Sequence, residues 1–253
     1  MLRDILTLNL FAFFLVFARM GSAMMLMPAF SAAIVPVEAR LLFALAVSFV
    51  LTPILAVRLP TLPGTVSGLF LLLAGEIVVG SFFGLVTRVL VSALQTAGTV
   101  IAFVSSLASS LTQDPVVEQQ SATVAGFLGN LGVLLLIATD MHQLMLKAAI
   151  DSYGIFEPGA APVWGDFGQV MARRVAEAFL IGVQISAPLI ITGFTYYLGL
   201  GLLGRLMPNL PIFFVGVPLQ LVIQVAILVI SLSGMMMVFL KHFETGLLHL
   251  TDT

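Results

Sequence analysis

From Val66 to Phe103 the chain runs for 38 residues with only two charges, Glu76 and Arg88. A helix needs about 20 predominantly apolar residues to cross the hydrocarbon core of a bilayer. The stretch is too long for one perpendicular span, and predicts either a single long tilted helix or a helical pair broken near Ser92 to Gly98. Further apolar segments repeat the pattern: Ile5 to Met27 with Arg19 inside it, Leu41 to Val57 with Pro53, Val124 to Ala138, Val175 to Leu203 with Pro188, and Ile212 to Leu240. Asp140, His142 and Lys147 mark a more amphipathic continuation after Ala138. Polar, proline-bearing stretches separate the segments, with Pro28, Pro36, Glu38 and Arg40 in one and Arg58, Pro60, Pro63 and Gly64 in another. Glu157 to Gly168 is a third, and Arg205, Pro208 and Pro211 mark a tight turn. The expected fold is all-α, a polytopic membrane protein of about six hydrophobic helical segments.

Composition removes the soluble alternative. Of the 253 residues, 60% are hydrophobic and 9% charged, against about 25% charged in a typical soluble domain, and the mean hydropathy is +1.17. No polar stretch is long enough for a separate soluble domain. A net charge of −2 without a basic cluster leaves no footprint for nucleic acid. The absence of cysteine excludes disulfides, thiolate catalysis and Cys-ligated metals. Arg3, the apolar run Ile5 to Phe17 and Ala23 imitate the parts of a signal peptide. However, Asp4 offsets Arg3, and Arg19 and a second apolar block follow, so the stretch is read as a first membrane helix. The ten Lys and Arg residues are spread thinly, and the positive-inside rule leaves orientation open.

No catalytic constellation emerges. His142, His242 and His249 form no HExxH pair, and Asp140 and His142, two apart, would point to different faces of a helix. There is no GxSxG elbow and no phosphate-binding loop. No metal or cofactor is expected. The charges inside apolar segments, Arg19, Glu76, Arg88 and Glu177, are more informative, because a charge at mid-bilayer costs roughly 2.5–3.5 kcal/mol on insertion scales and usually faces protein or water. Glu76, Gly80, Gly84 and Arg88 follow one another at i+4 steps along one stripe, with the glycines permitting close backbone approach. Such a stripe fits an ion or proton path, or a packing seam whose charges pair with neighbouring subunits.

Ser105 to Thr123 (SSLASSLTQDPVVEQQSAT) is different in kind. It holds five serines, three glutamines and two threonines but only two charges, Asp114 and Glu118, and Pro115 interrupts it. Polar backbone between membrane helices is tolerated where it lines or blocks a cavity. An ordinary solvated hairpin loop is the plainer reading.

The end of the chain narrows these choices. LGRLMPNLPIFFVGVPLQLVIQ, Leu203 to Gln224, resembles the signature of the FliR family, the flagellar counterpart of the SctT proteins of virulence type III secretion. Other matching pieces occur in order: Arg19 with Pro28 and Pro36, GEIVVGSFFG at Gly75 to Gly84, LQTAG at Leu94 to Gly98, QDP at Gln113 to Pro115, Asp140-x-His142, and Ser152 leading to Pro158–Gly159. Where the family turn usually reads Gln, an apolar residue and Asn, this chain has Asn209, Leu210 and Pro211.

The resemblance implies a structural and gating subunit of a flagellar export gate in the bacterial inner membrane and the flagellar basal body. Such a subunit assembles with five FliP-like and four FliQ-like subunits, is joined by FlhB-like and FlhA-like proteins, and passes unfolded substrates. It also implies a FliP-like part up to about residue 170, followed by a FliQ-like helical hairpin. By the same analogy Ser105, Ser106, Ser109, Ser110, Thr112, Gln113, Asp114, Pro115, Glu118, Gln119 and Gln120 form a pore plug. Arg19, Glu76, Gly80, Gly84 and Arg88 pack between subunits, and Met207, Pro208, Asn209, Pro211, Gly216 and Pro218 fix the terminal hairpin. The rival expectation is a stand-alone ion-coupled secondary transporter.

Overall fold

The computed structural model describes residues 2–31, 35–105, 115–159, 164–207 and 212–251. Every regular element among them is helical: α1 (Leu2–Leu26), α2 (Val37–Leu55, extended by a 3-10 turn Ala56–Arg58), α3 (Val66–Val104), α4 (Pro115–Ala138), α5 (Met141–Ile155), α6 (Trp164–Leu206) and α7 (Ile212–Thr251). Among the described residues four helices are long and apolar enough to cross a membrane, over Val37–Arg58, Val66–Val104, Gly165–Leu206 and Pro218–Leu250. The pair α4 and α5 adds a fifth if the two are taken as one broken span.

The long apolar stretch is one uninterrupted helix, not a broken pair. The residues that suggested a break serve the helix instead. Thr96 turns its hydroxyl back to Ser92 O at 3.1 Å, and Gly98 lets α4 come so near that a Cβ there would collide with the Ala125 backbone. Other hydroxyls in these apolar helices do the same: Ser48 donates to Ala44 O, Thr52 to Ser48 O and Thr195 to Ile191 O. Bonding to the carbonyl one turn back satisfies a hydroxyl without water.

Two boundaries differ from expectation. The polar stretch taken as a loop to Thr123 is helical from Pro115 onward, with Glu118, Gln119 and Gln120 in the first turns of α4. Proline suits a first helical position, where its missing N–H has no carbonyl to serve. The amphipathic continuation after Ala138 is a separate helix, because Asp140 adopts a left-handed backbone with φ 58°. Asp tolerates that conformation, and Gln143 secures the turn by donating from N to Asp140 O at 3.0 Å and from Nε2 to Oδ1 at 3.2 Å.

The helices gather into two compact units that ignore chain order. The first comprises Met1–Leu90, Leu136–Arg174 and Phe243–Thr253, and the second Val91–Leu135 and Val175–His242. The first is centred on Leu15, Met20, Phe83, Leu90, Tyr153 and Phe243, and the second on Leu94, Ile101, Leu128, Leu189 and Phe239, all buried. α6 passes residue 170, the expected border of the FliP-like part, without interruption.

Candidate functional site

Arg19 sits three-quarters of the way along α1, and the stretch from Leu10 to Met20 around it is otherwise made of Phe, Leu, Val, Ala and Met. It is 1% exposed, and Glu76 on α3 is 2% exposed. The two form a bidentate pair: Arg19 Nε donates to Glu76 Oε2 at 2.6 Å and Nη2 to Oε1 at 2.9 Å. The remaining guanidinium donors reach the end of α5, Nη1 to Ser152 Oγ at 3.3 Å and Nη2 to Phe156 O at 3.0 Å. Above the plane, the Tyr153 ring lies 3.9 Å from the guanidinium carbon. Every face of the cation is thus covered by protein, which is the condition for a buried charge to be tolerable.

Phe156 also joins an aromatic cluster. Its ring stacks on Phe167 at 5.1 Å and meets Phe83 edge-on at 6.1 Å, while Phe82 lies 4.4 Å from Phe167. This apolar cluster lies beside the ion pair, whose two side chains are almost wholly buried. The Tyr153 hydroxyl is buried without a partner among the described residues, so the ring acts here through its π-face.

The sequence stripe is only partly real. Gly80 and Gly84 do face α1: a Cβ on Gly80 would collide with Arg19 O and Ser22 Oγ, and one on Gly84 would lie 2.7 Å from Ala23 O and from Leu26 Cβ. Arg88, in contrast, is exposed. Steps of four residues advance about 40° beyond a full turn each time, so three steps rotate Arg88 about 120° away from Glu76. The partner of Glu76 lies in the same chain. Glu177, on α6, is partly exposed. Ser152, Tyr153 and Phe156 were not legible as neighbours of Arg19. They lie 133 to 137 positions from it, and their own segment carries no pattern that points to it.

A second polar locus lies in the other unit. Ser105, directly after α3, is 3% exposed, while 106–114, which hold Ser106, Ser109, Ser110, Thr112, Gln113 and Asp114, lie outside the described residues. On α7, Gln220 and Gln224 are buried among apolar residues. Gln220 Nε2 donates to Val104 O at 3.0 Å and Gln224 Nε2 to Leu189 O at 3.3 Å. Both glutamines belong to the terminal motif Leu203 to Gln224. Their signal was two amides one turn apart on an apolar helix.

Of the terminal-turn residues, Met207 is exposed and closes α6 by donating from N to Leu203 O at 2.8 Å. Pro208, Asn209 and Pro211 lie outside the described residues. Gly216 is buried, and its carbonyl accepts from Tyr196 Oη at 2.7 Å, tying α6 to the start of α7; Pro218 is exposed. Among the described residues no group of three His, Asp or Glu is gathered to hold a metal ion.

Comparison with known proteins gives one consistent answer. The family described as bacterial export proteins, family 1, matches residues 10–246. The chain is 36% identical over 230 residues to the flagellar biosynthetic protein FliR of Caulobacter vibrioides, covering 91% of this chain and 92% of that one. It is 29% identical over 238 residues to the protein of the same name from Bacillus subtilis, covering 92% and 90%. A Yop proteins translocation protein T from Yersinia pestis is 26% identical over 189 residues, covering 73% of this chain and 70% of that one.

Proposed function

This chain belongs to the bacterial export proteins of family 1, and we propose that it is a structural and gating subunit of a flagellar type III export gate. It resides as a multi-pass protein in the inner membrane, in the flagellar basal body, and lets unfolded polypeptides pass. It has no catalytic role. Its relatives supply the flagellar side of the reading, since the FliR proteins of Caulobacter vibrioides and Bacillus subtilis match 91% and 92% of the chain against 73% for translocation protein T.

The observation that carries the structural role is the buried Arg19–Glu76 pair. An ion-coupled carrier needs a carboxylate that can take up and release its ion from an aqueous path. The Glu76 carboxylate instead holds a guanidinium through two hydrogen bonds beside an aromatic cluster. Such a pair braces helices against one another and is ill suited to turnover. The broad apolar faces left exposed on α2, α6 and α7, including Phe49, Ile54, Ile191, Phe194, Val229 and Ile230, suit contact with lipid or with other apolar subunits.

Within such a gate, the segment from Ser105 to Gln120 obstructs the pore. Its serines and glutamines hydrate easily and can move aside for an unfolded chain without binding it tightly. The part up to about residue 170 plays a FliP-like role and the remaining hairpin a FliQ-like one. FliP-like subunits in five copies and FliQ-like subunits in four surround it, with FlhB-like and FlhA-like proteins attached. Mild extraction with these neighbours co-expressed should recover them together in unequal copy number. A lone monomer under those conditions would overturn the reading. Deletion of residues 106–120 should raise passive ion leakage through the assembled gate, and an unchanged leak would leave the segment as an ordinary loop.

A further inference from the structure

α3 ends at Val104, and the last carbonyls of an α-helix have no donor within the helix itself. The chain continues through Ser105, which is 3% exposed. One of these carbonyls, Val104 O, is served from a distance of 116 residues by Gln220 Nε2 of α7, at 3.0 Å. Gln220 is 1% exposed.

An amide on an apolar helix is costly to bury unless it is bonded, and a leucine would fill the same space without that cost. Gln220 therefore does something that packing alone does not require. The neighbourhood is tight on a third side as well. Gly193 of α6 sits where the Val104 side chain and the Gln224 amide meet, and a Cβ there would collide with Val104 and lie 2.9 Å from Gln224 Nε2. Two helices, α6 and α7, thus converge on the last residue of α3.

Gln224, one turn along the same face, is the instructive contrast. Its Nε2 reaches Leu189 O at 3.3 Å, a carbonyl inside α6 that has its own helical partner position, and its Oε1 has no partner among the described residues. Of these two amides, Gln220 is the one that serves a carbonyl at a helix end.

We infer that Gln220 is a positioning residue of the gate: its amide fixes the end of α3, and with it Ser105, where the polar segment begins. The inference deepens the obstructing role proposed for that segment and rests on it for its functional consequence, but the anchoring itself can be tested apart.

The chain contains no cysteine, so Ser105→Cys introduces a single probe at a buried position. In the assembled gate in inverted and right-side-out vesicles, its labelling by a membrane-impermeant maleimide should be slow. Adding Gln220→Met, which keeps length and apolar bulk but cannot donate, should speed labelling about tenfold, the scale of one lost hydrogen bond, and should raise ion leakage. Gln224→Met, which removes an equally buried amide without freeing Val104, should change labelling less than twofold. Unchanged labelling in Gln220→Met overturns the inference, as does an equal rise in Gln224→Met, which would signal general loosening. Faster labelling without leakage, in a gate that also fails to leak when 106–120 are deleted, upholds the anchor and overturns the obstructing role instead.

Discussion

The two units of this molecule secure their helices by different chemistry. In the first, α1, α3 and α5 converge on a full charge: Arg19 is held by Glu76, Ser152, Phe156 and Tyr153. In the second, α3, α6 and α7 converge on neutral amides, with Gln220 on Val104 O, Gln224 on Leu189 O and glycines where backbones meet. The charged knot is satisfied on every side and strongly directional, so it fixes one geometry. The amide contacts are neutral hydrogen bonds, and Gln224 Oε1 has no partner among the described residues. A charge held by two hydrogen bonds to a carboxylate is the stronger of the two devices, because charge-assisted bonds exceed neutral ones.

The comparison is broken or sharpened most forcefully at Arg19. Arg19→Ala leaves Glu76 as a buried unpaired charge and should cost about 3–5 kcal/mol, read as a large drop in Tm of the chain in mild detergent. The double variant Arg19→Met with Glu76→Leu should recover most of that loss, because an apolar pair of similar volume avoids the desolvation penalty. Equal instability of single and double variants would show that the knot is not held by its charges.

Next in size is the close approach of α1 and α3. Gly80→Ala forces a Cβ into Arg19 O and Ser22 Oγ, at about 1–3 kcal/mol by the usual scale of overpacking, whereas Gly126→Ala on α4, with open space around it, should be neutral or slightly stabilising through helix propensity. A similar loss at both positions, measured by thermal unfolding, would mean that the glycines matter for flexibility rather than for contact.

In the second unit, Gln220→Met should lower stability by only about 1 kcal/mol while changing the gate's leakage, a separation that the charged knot should not display. Smallest of all, Arg88→Ala should alter stability by no more than about 0.5 kcal/mol, since the side chain is exposed. A larger loss in the isolated chain would return Arg88 to the buried stripe. A loss seen only in the assembled gate would place it at a contact between subunits.

Much of this architecture was legible in advance. The apolar runs located the helices, and of the stripe Glu76, Gly80, Gly84 and Arg88, which fitted an ion path or a packing seam, the first three are buried and Arg88 is exposed. The turn chemistry was less so: Pro115 looked like an interruption and proved to be a first helical residue, and Asp140 gave no warning that it would divide two helices. Both positions are permissive in more than one backbone state, so local preference did not decide between them.

The sequence by itself determined that the chain is helical, that lipid or equally apolar partners must cover it, and which intramembrane charges had to be explained, because hydropathy and helical period are local properties. Only the tertiary structure decided which charge met which. Arg19 reaches Glu76 57 residues away and Ser152 133 away, and Val104 is held by an amide 116 residues on. Pairings at such separations depend on how whole helices stack, a choice that no window of sequence contains.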